Sequence, residues 1–380
     1  MFRSNVRPEE LPDGWIASQL KEFCDIRAGG RLGLNKSHYQ PSGVEAFSAA
    51  GQDGFVSETE GEASSIILAS IGSCGRSYMT NGPWTSLANT QIITPNLAVA
   101  DQRYLHALLD NPAYWSLSGS AQPFIKPSDV KGAWVPIPPL DEQRRIAEVL
   151  RSVDEALFAQ QCVIERMRVS LDAMCHELLP DPTTTELPPL WKKTTLGDFS
   201  RVATGKTPST KRTEFWAGDI PFVTPTDLTD SMDVGLAARH LTDAGAKQSK
   251  ITPKNSVLYT CIASVGKMGL AREAVAFNQQ INACACNDEP DAEFLFWALY
   301  RMTQSIKERC GTTAVPIINK SSFSSLPLFI PERELRAQIS SALTEMAQQI
   351  DEEQKVARGT LRVKGELMSD LLTGRVRVPA

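Results

Sequence analysis

The chain of 380 residues has few of the residues on which most catalytic and metal sites depend. It contains only four His, and its eight Cys have no closer grouping than the C-x-C pair Cys284 and Cys286. A metal cluster is therefore not expected, and unpatterned cysteines in a chain of this length indicate reduced thiols in the cytoplasm. No run approaches the ~18 apolar residues that a membrane helix needs. The first residues also lack the apolar segment of a secretory signal.

Several enzyme motifs are present only in part. The segment Gly205–Thr207 reads GKT, but a phosphate-binding loop also requires Gly at position 200, which is Ser200. The pair His176-Glu177 lacks the second His of a zinc protease, and the two G-x-x-G segments fall short of a dinucleotide fingerprint. No catalytic set emerges, so a catalytic role for this chain alone is not expected.

Charge is unevenly distributed along the chain, whose net charge is −5. Residues 1–140 contain 10 basic and 13 acidic side chains, whereas residues 192–272 contain 12 and 7. The total argues against indiscriminate nucleic-acid binding, but a local basic surface is compatible with it.

The sequence contains the same arrangement twice. Trp15 and Trp191 lie in matching segments at an offset of 176 residues, and ASIGSCG at 69–75 matches ASVGKMG at 263–269. Further pairs follow in the same order: NTQI with NQQI, Pro139-x-x-Glu142 with Pro331-x-x-Glu334, and MCHELL with LMSDLL. Because chance matches would not keep their order, a tandem duplication is inferred.

Each copy consists of a globular part followed by a long helical arm. Segments such as SIILAS, TQIITP and SVLYTCIASV predict short strands, and QRYLHALL and AEFLFWALYRM predict helices, so the fold class is mixed α/β (α+β). The predicted boundaries are 1–140 for the first globular domain, 141–180 for the first spacer helix, 181–331 for the second domain and 332–380 for the second helix.

The arms predict an antiparallel two-helix coiled coil. Residues 141–179 contain no Gly or Pro, and apolar residues recur at steps of three, four and seven, which indicates one apolar stripe. Each arm would be roughly 60 Å long at 1.5 Å per residue. Gly359 and Gly365 predict a weaker or bent region in the second arm. The alternative is that each arm folds back on its own domain.

The ordered set of motifs resembles the DNA-specificity (S) subunit of type I restriction–modification enzymes. It comprises W-x4-L-x-x-F at Trp15 and Trp191, TGKTPS…FWAGDIPFVTPTDL at 204–228, SVGKMG…FNQQI, PPLDEQRRIAEVL and LLTGRV. The resemblance implies two target-recognition domains that each read half of a split double-stranded DNA site, and a coiled coil that acts as a spacer. It implies methyltransferase (M) and restriction (R) subunits as partners. S-adenosylmethionine, ATP and Mg would be used by those partners, and this chain would bind no cofactor. The first copy lacks a counterpart of Trp216–Phe222, so the two domains are expected to read different sequences.

Candidate DNA contacts come from the repeat and from basic residues. A sequence-reading surface needs donors and acceptors for base edges, and phosphate contacts position it. The DNA-binding candidates are Arg27, Arg31, Lys36, Ser70, Arg76, Asn89 and Gln91 in the first copy, and Lys206, Thr207, Lys211, Arg212, Ser264, Lys267, Asn278 and Gln279 in the second. Structural hydrogen bonds for the amides, and solvated surface for the basic residues, are the competing interpretations.

The arms carry the predicted partner-docking positions Ile146, Leu150, Leu171, Ile339, Leu343 and Leu371. A rival interpretation of the whole chain is a duplicated protein-interaction scaffold, which the acidic first domain favours. Another is a specificity factor of a different modification-based defence system.

Overall fold

Two units, each with its own sheets and core, make up the chain in the computed structural model, which describes residues 11–62, 64–310 and 316–378. One unit comprises the described residues up to Ala159 together with those from Ala357 onwards, and the other comprises Gln160–Val356. These units are defined by packing, whereas the segment boundaries predicted above follow covalent order and stay a prediction.

The first unit contains two sheets and a strand pair. Its strands are β1 (Ile16–Gln19), β2 (Cys24–Ala28), β3 (Val44–Ser48), β4 (Gly51–Val56), β5 (Ile66–Ala69), β6 (Ser77–Met79), β7 (Trp84–Ser86), β8 (Thr90–Pro95) and β9 (Trp134–Ile137). An antiparallel sheet has the order β2-β8-β5-β6, a second sheet has the order β4-β3-β7, and β1 pairs with β9. All four residues of β5 are buried, as expected for a continuous run of apolar residues in a central strand.

The second unit repeats this plan. Its strands are β10 (Lys192–Thr195), β11 (Arg201–Thr204), β12 (Trp216–Val223), β13 (Arg239–Leu241), β14 (Ile251–Thr252), β15 (Ser256–Thr260), β16 (Met268–Ala271), β17 (Val275–Phe277), β18 (Ile281–Ala285) and β19 (Pro327–Ile330). The orders are β11-β18-β15-β16, β13-β12-β17-β14 and β10-β19. In both units one pair in the second sheet is parallel, β3 with β7 and β12 with β17.

The two units differ most where the sequences differ. Strand β3 turns directly into β4 through residues 49–50, whereas β12 reaches its partner β13 only after the long connection 224–238. The segment 39–55 of the first unit therefore occupies the place of Trp216–Phe222, with a different hairpin built on it.

The helices are of two kinds, short ones within the units and two long ones. The short ones are α1 (Leu20–Phe23), α2 (Gln102–Leu109), α3 (Pro127–Lys131), α5 (Leu196–Phe199), α6 (Asp243–Ala246), α7 (Glu289–Arg309) and α8 (Lys320–Ser324). The long ones are α4 (Leu140–Leu178) and α9 (Arg333–Thr373). Both predicted arms are thus helices, and α9 is helical through Gly359 and Gly365 without a break.

Within the first unit, the beginning of α4 packs against the end of α9. Ile146 and Leu150 share a core cluster with Leu371 and Leu372, and Lys364 forms an ion pair with Asp154. An earlier residue of one helix meets a later residue of the other, so this pairing is antiparallel, as predicted. The same order holds in the second unit, where Gln160 Nε2 donates to Glu353 at 3.3 Å.

Candidate nucleic-acid interface

In the first unit, three loop segments meet at one end of the four-stranded sheet. They are the loop that follows β2, the loop between β5 and β6, and the turn that precedes β8. The backbone N–H groups of Ser70 and Ile71 donate to the carbonyl of Asn89 at 2.9 and 3.3 Å, and Gly29 N–H donates to the carbonyl of Thr90 at 3.0 Å. The sequence candidates Ser70 and Asn89 are therefore neighbours, although 19 residues separate them.

The equivalent segments of the second unit meet in the same way. The N–H of Lys206 donates to the carbonyl of Phe277 at 2.9 Å, and Cys261 N–H donates to the carbonyl of Gln280 at 2.7 Å. A side-chain bond also joins two candidates, because the Thr207 hydroxyl donates to Gln279 Oε1 at 2.6 Å. The repeat thus brings Lys206, Thr207 and Gln279 to one surface.

Gly29 and Gly205, paired in the sequence repeat, have a packing reason. A Cβ atom at Gly205 would lie 2.1 Å from the carbonyl oxygen of Asn278, and one at Gly29 would lie 2.1 Å from Thr90 Oγ1. The loop that follows the first strand of each sheet can approach its neighbour this closely only without a side chain. These glycines hold the candidate loops together.

The amide candidates fall into two groups by burial. Gln91 is 3% exposed, and its Nε2 donates to the carbonyl of Ile125 at 3.1 Å. Asn278 is also buried, and its side chain bonds both the backbone N–H and the side chain of Gln280. Asn89 and Gln279 are exposed. The structure therefore gives the first two a structural environment and leaves the second two at the surface.

The small residues of the 70–76 and 264–267 loops also separate. Ser70 is buried, and its carbonyl accepts from Ile125 N–H, whereas Ser264 and Lys267 are exposed. Arg76 lies 3.4 Å from Asp110 and is half-exposed. A cavity of about 440 Å³ opens beside this loop, lined by residues that include Gly72, Cys74, Arg76, Pro112 and Gln122.

The basic candidates of the first unit are mostly paired with carboxylates. Arg27 forms an ion pair with the buried side chain of Glu60 and lies over the ring of Trp84, with 5.4 Å from its guanidinium carbon to the ring centroid. Lys36 pairs with Asp53. Burial acts to raise the pKa of Asp53, but hydrogen bonds from Lys36, Tyr39 and Ser48 outweigh it and lower that pKa. Among the described residues, Arg31 has no carboxylate within 4 Å.

In the second unit the basic candidates are more open. Lys206, Lys211 and Lys267 are exposed and have no carboxylate within 4 Å in the described part of the chain. Arg212 lies 3.9 Å from Glu214 and stacks over Phe215 at 5.6 Å.

Two residues in this region carried no usable sequence signal. Arg239 lies over the ring of Trp216, with 3.5 Å from its guanidinium carbon to the ring centroid. Glu60 lies beneath Arg27 and also accepts from the N–H and hydroxyl of Ser86 at 3.0 and 2.6 Å. Each contact joins strands or loops that are more than 20 residues apart, so only the fold shows it.

The six docking positions on the arms are buried inside their own units: Ile146 at 0% exposed, Leu150 at 3%, Leu171 at 7%, Ile339 at 6%, Leu343 at 0% and Leu371 at 3%. They build cores, and a partner that docks on these helices would meet the opposite face. The docking role of the helices stays a prediction.

Metal and membrane chemistry find no support in the described residues. No group of three or more His, Cys, Asp or Glu in that part of the chain could hold a metal ion, and all eight cysteines are free thiols. Across the same residues, no helix is both long and apolar enough for a membrane span.

Comparison with known proteins gives matches along the chain. The family model of the type I restriction modification DNA specificity domain matches residues 12–162 and 188–357. The HindI type I restriction enzyme specificity subunit of Haemophilus influenzae is 32% identical over 150 residues, which are 38% of this chain and 33% of that protein. The putative MjaX specificity subunit of Methanocaldococcus jannaschii is 22% identical over 409 aligned residues, covering 97% of this chain and 95% of that one.

A solved structure shares the fold over the full length. The S subunit of a type I restriction-modification system from M. genitalium superimposes with a TM-score of 0.65 at 17% identity, covering 98% of this chain and 99% of that one. At this identity the likeness concerns the fold, which is the same two-part arrangement.

Proposed function

Because this chain belongs to the type I restriction modification DNA specificity domain family, we propose that it is the non-catalytic DNA sequence-recognition subunit of a type I restriction–modification complex. The observation that carries the proposal is the duplication, since the matched regions 12–162 and 188–357 fall one in each copy. Each unit would read one half of a bipartite target.

The loop clusters are the surfaces that would meet the DNA. Each one presents exposed polar side chains, such as Asn89 in the first unit and Gln279 in the second, from backbones tied to the end of a rigid sheet. An amide offers a donor and an acceptor, the combination that pairs with adenine in the major groove. Because the hairpins that flank the two clusters differ, the two half-sites would differ in sequence, and the target would be asymmetric.

The long helices would serve as the spacer and as docking elements. Methyltransferase subunits would bind along their exposed faces and against the units, and restriction subunits would join this core. S-adenosylmethionine, ATP and Mg would act in those partners, where methyl transfer and cleavage take place. The complex would work in the cytoplasm, where its DNA is.

The test is to co-express the chain with its cognate methyltransferase subunit and sequence the methylated bases of the host DNA. We expect one new bipartite motif with a fixed gap. Replacement of residues 1–140 by the corresponding domain of a relative should change one half of the motif and leave the other. A chain that yields no methylated motif, or a swap that changes both halves, would contradict the proposal.

A scaffold without DNA contacts would behave differently in the same cells. It would support assembly with a partner but leave the methylation pattern independent of the swapped domain. The swap therefore separates the two functions in one experiment.

A further inference from the structure

The two units differ in charge over topologically equivalent stretches. From the start of β2 to the end of β8, residues 24–95 contain four basic and six acidic side chains. From the start of β11 to the end of β18, residues 201–285 contain ten basic and seven acidic ones. The same fold thus presents opposite net charges.

Pairing increases this difference in the first unit. Three of its four basic residues in that stretch are tied to carboxylates, Arg27 to Glu60, Lys36 to Asp53 and Arg76 to Asp110. A cation that already faces a carboxylate gains less from a phosphate, because the phosphate must first displace its partner or share it. The first unit therefore has little free positive charge near its loop cluster.

In the second unit, part of the negative charge is used elsewhere. Asp227 is buried and accepts from the backbone of its own loop. Asp233 binds Arg272 at 2.7 Å, and Asp230 lies 3.6 Å from Arg168 on α4. These three carboxylates are therefore poor partners for the basic residues around the loop cluster.

Those basic residues lie on one continuous surface. The Ser249 hydroxyl donates to the carbonyl of Lys206 at 2.6 Å, which joins the 247–250 segment to the loop cluster. Trp216 Nε1 donates to the carbonyl of Ser209 at 3.1 Å, and Arg239 lies on the Trp216 ring. We call this the basic surface, formed by Lys206, Lys211, Arg212, Arg239, Lys247 and Lys250, all of them exposed.

Arg239 is the most firmly held charge of the basic surface. The Trp216 ring beneath it packs edge-on against Phe222, with ring centroids 5.2 Å apart, and Phe222 is 1% exposed. The guanidinium is thus stacked on an aromatic ring that the core fixes, and it has no carboxylate within 4 Å among the described residues. A stacked guanidinium keeps its N–H edges available for a phosphate, and little side-chain freedom remains to be lost on binding.

We propose that the basic surface of the second unit supplies the sequence-independent hold on DNA phosphates, with Arg239 as its fixed anchor, while the first unit reads its half-site with little free charge. This inference rests on the proposed function. The complex would hold DNA first through the second unit, and the first unit would then test the neighbouring sequence. The basic surface and the second loop cluster share Lys206, so the same docking serves both.

The test compares salt dependence among charge-matched variants in the complex with the methyltransferase subunit. The probe is a fluorescent random-sequence duplex, and its affinity is measured across a salt series. The Lys211→Gln/Arg239→Gln double variant should lower the slope of log affinity against log salt by about 1.8, since each lost phosphate contact removes about 0.9. The control Lys192→Gln/Lys193→Gln removes two exposed charges of the same unit outside the basic surface and should leave the slope unchanged.

Two further variants sharpen the result. Lys36→Gln/Arg76→Gln in the first unit should change the slope by less than half as much, because both charges are already paired. Arg239→Lys keeps the charge but not the planar stack, so it should retain the slope yet bind the random duplex several-fold more weakly. Thermal melting of each complex excludes misfolding as the cause.

Equal slopes for the Lys211→Gln/Arg239→Gln variant and wild type would overturn the inference, as would a larger effect from the first unit. The proposed function fails separately. A bipartite methylation motif together with an unchanged slope would refute the basic surface alone, whereas a steep slope without any motif would refute sequence recognition.

Discussion

Asn278 and Gln279 are adjacent in the chain but have different surroundings. Asn278 is buried and bonds the backbone N–H of Gln280 at 3.0 Å, whereas Gln279 is exposed and accepts from Thr207. The sequence offers two amides in a row and no sign of which one faces inward. That choice depends on the turn before β18, which follows from its packing against the loop after β11.

The two amides should therefore respond differently to truncation. Asn278→Ala should lower the free energy of unfolding by about 1–3 kcal/mol, because it leaves buried polar groups of Gln280 without a partner. Gln279→Ala should leave that free energy nearly unchanged and weaken discrimination between the target and a duplex altered in one half-site. Denaturant unfolding and competition binding measure the two effects, and reversed results would refute the assignment.

Glu142 closes a cluster between the two ends of the first unit. Its carboxylate accepts two bonds from Arg377, at 2.6 and 2.7 Å, and one from Trp15 Nε1 at 3.2 Å. The bonds from Arg377 are the largest influence and lower the pKa of Glu142, while burial opposes them and Trp15 adds to them. The carboxylate is therefore bound more strongly in the folded state than its acid form.

This cluster predicts a defined pH dependence. Because the folded-state pKa of Glu142 lies below the ordinary value of 4.5, its contribution is complete above that pH and is lost as pH falls through the folded-state pKa. The difference in melting temperature between wild type and Glu142→Gln should thus be constant near neutrality and shrink below pH about 4.5. Asp141→Asn, on the exposed side of the same helical turn, is the control and should show little difference at any pH. A Glu142→Gln difference that grows toward acid pH would contradict the assignment.

At the scale of elements, the sequence predicted the long helices well and the sheets poorly. An apolar stripe is a local pattern, so α4 and α9 could be read from the steps between their leucines and isoleucines. Sheet order is not local, since β2 pairs with β8 across five intervening strands and β3 pairs in parallel with β7. The strands could be found, but their neighbours, and with them the pairing of Arg27 with Glu60, depend on contacts distant in sequence.

The two helical glycines of α9 offer a test at this scale. A Cβ atom at Gly359 or Gly365 would have no neighbouring atom within 4 Å, and Ala costs less backbone entropy in a helix than Gly does. Each substitution by Ala should therefore raise the free energy of unfolding by about 0.5–1 kcal/mol in denaturant titrations.

Gly245 in α6 provides the matched control. A Cβ atom there would lie 2.1 Å from the carbonyl oxygen of Phe215, so Gly245→Ala should lower stability although it is the same change in a helix. If all three substitutions stabilised the protein, the packing around Gly245 would be wrong.

At the scale of the whole chain, both long helices pass from one unit into the other without a break. Helix α4 crosses between Ala159 and Gln160, and α9 crosses between Val356 and Ala357. The duplication and this connectivity were visible in the sequence, because matched motifs keep their order and the arms contain a continuous stripe. The bases read by each unit were not, since they depend on side chains that the fold alone positions.

This connectivity predicts how the target should respond to longer helices. One heptad inserted at each crossing point keeps the apolar stripe in phase and lengthens each helix by about 10.5 Å. That length corresponds to about three base pairs of B-DNA at 3.4 Å each. The methylated motif should keep both half-sites and gain about three base pairs of gap, as read by methylome sequencing. A heptad in α4 alone should abolish methylation, and an unchanged gap in the double insertion would rule out the spacer role.

The first unit is assembled from both ends of the chain, and this has a consequence for its biosynthesis. Leu371, Leu372 and Arg377 complete the packing around Ile146, Glu142 and Trp15, yet they are among the last residues to leave the ribosome. The second unit, Gln160–Val356, is continuous and can close earlier. The segment translated first is thus the last to reach its final structure, and a message cut short in its final codons would damage the half encoded at its start.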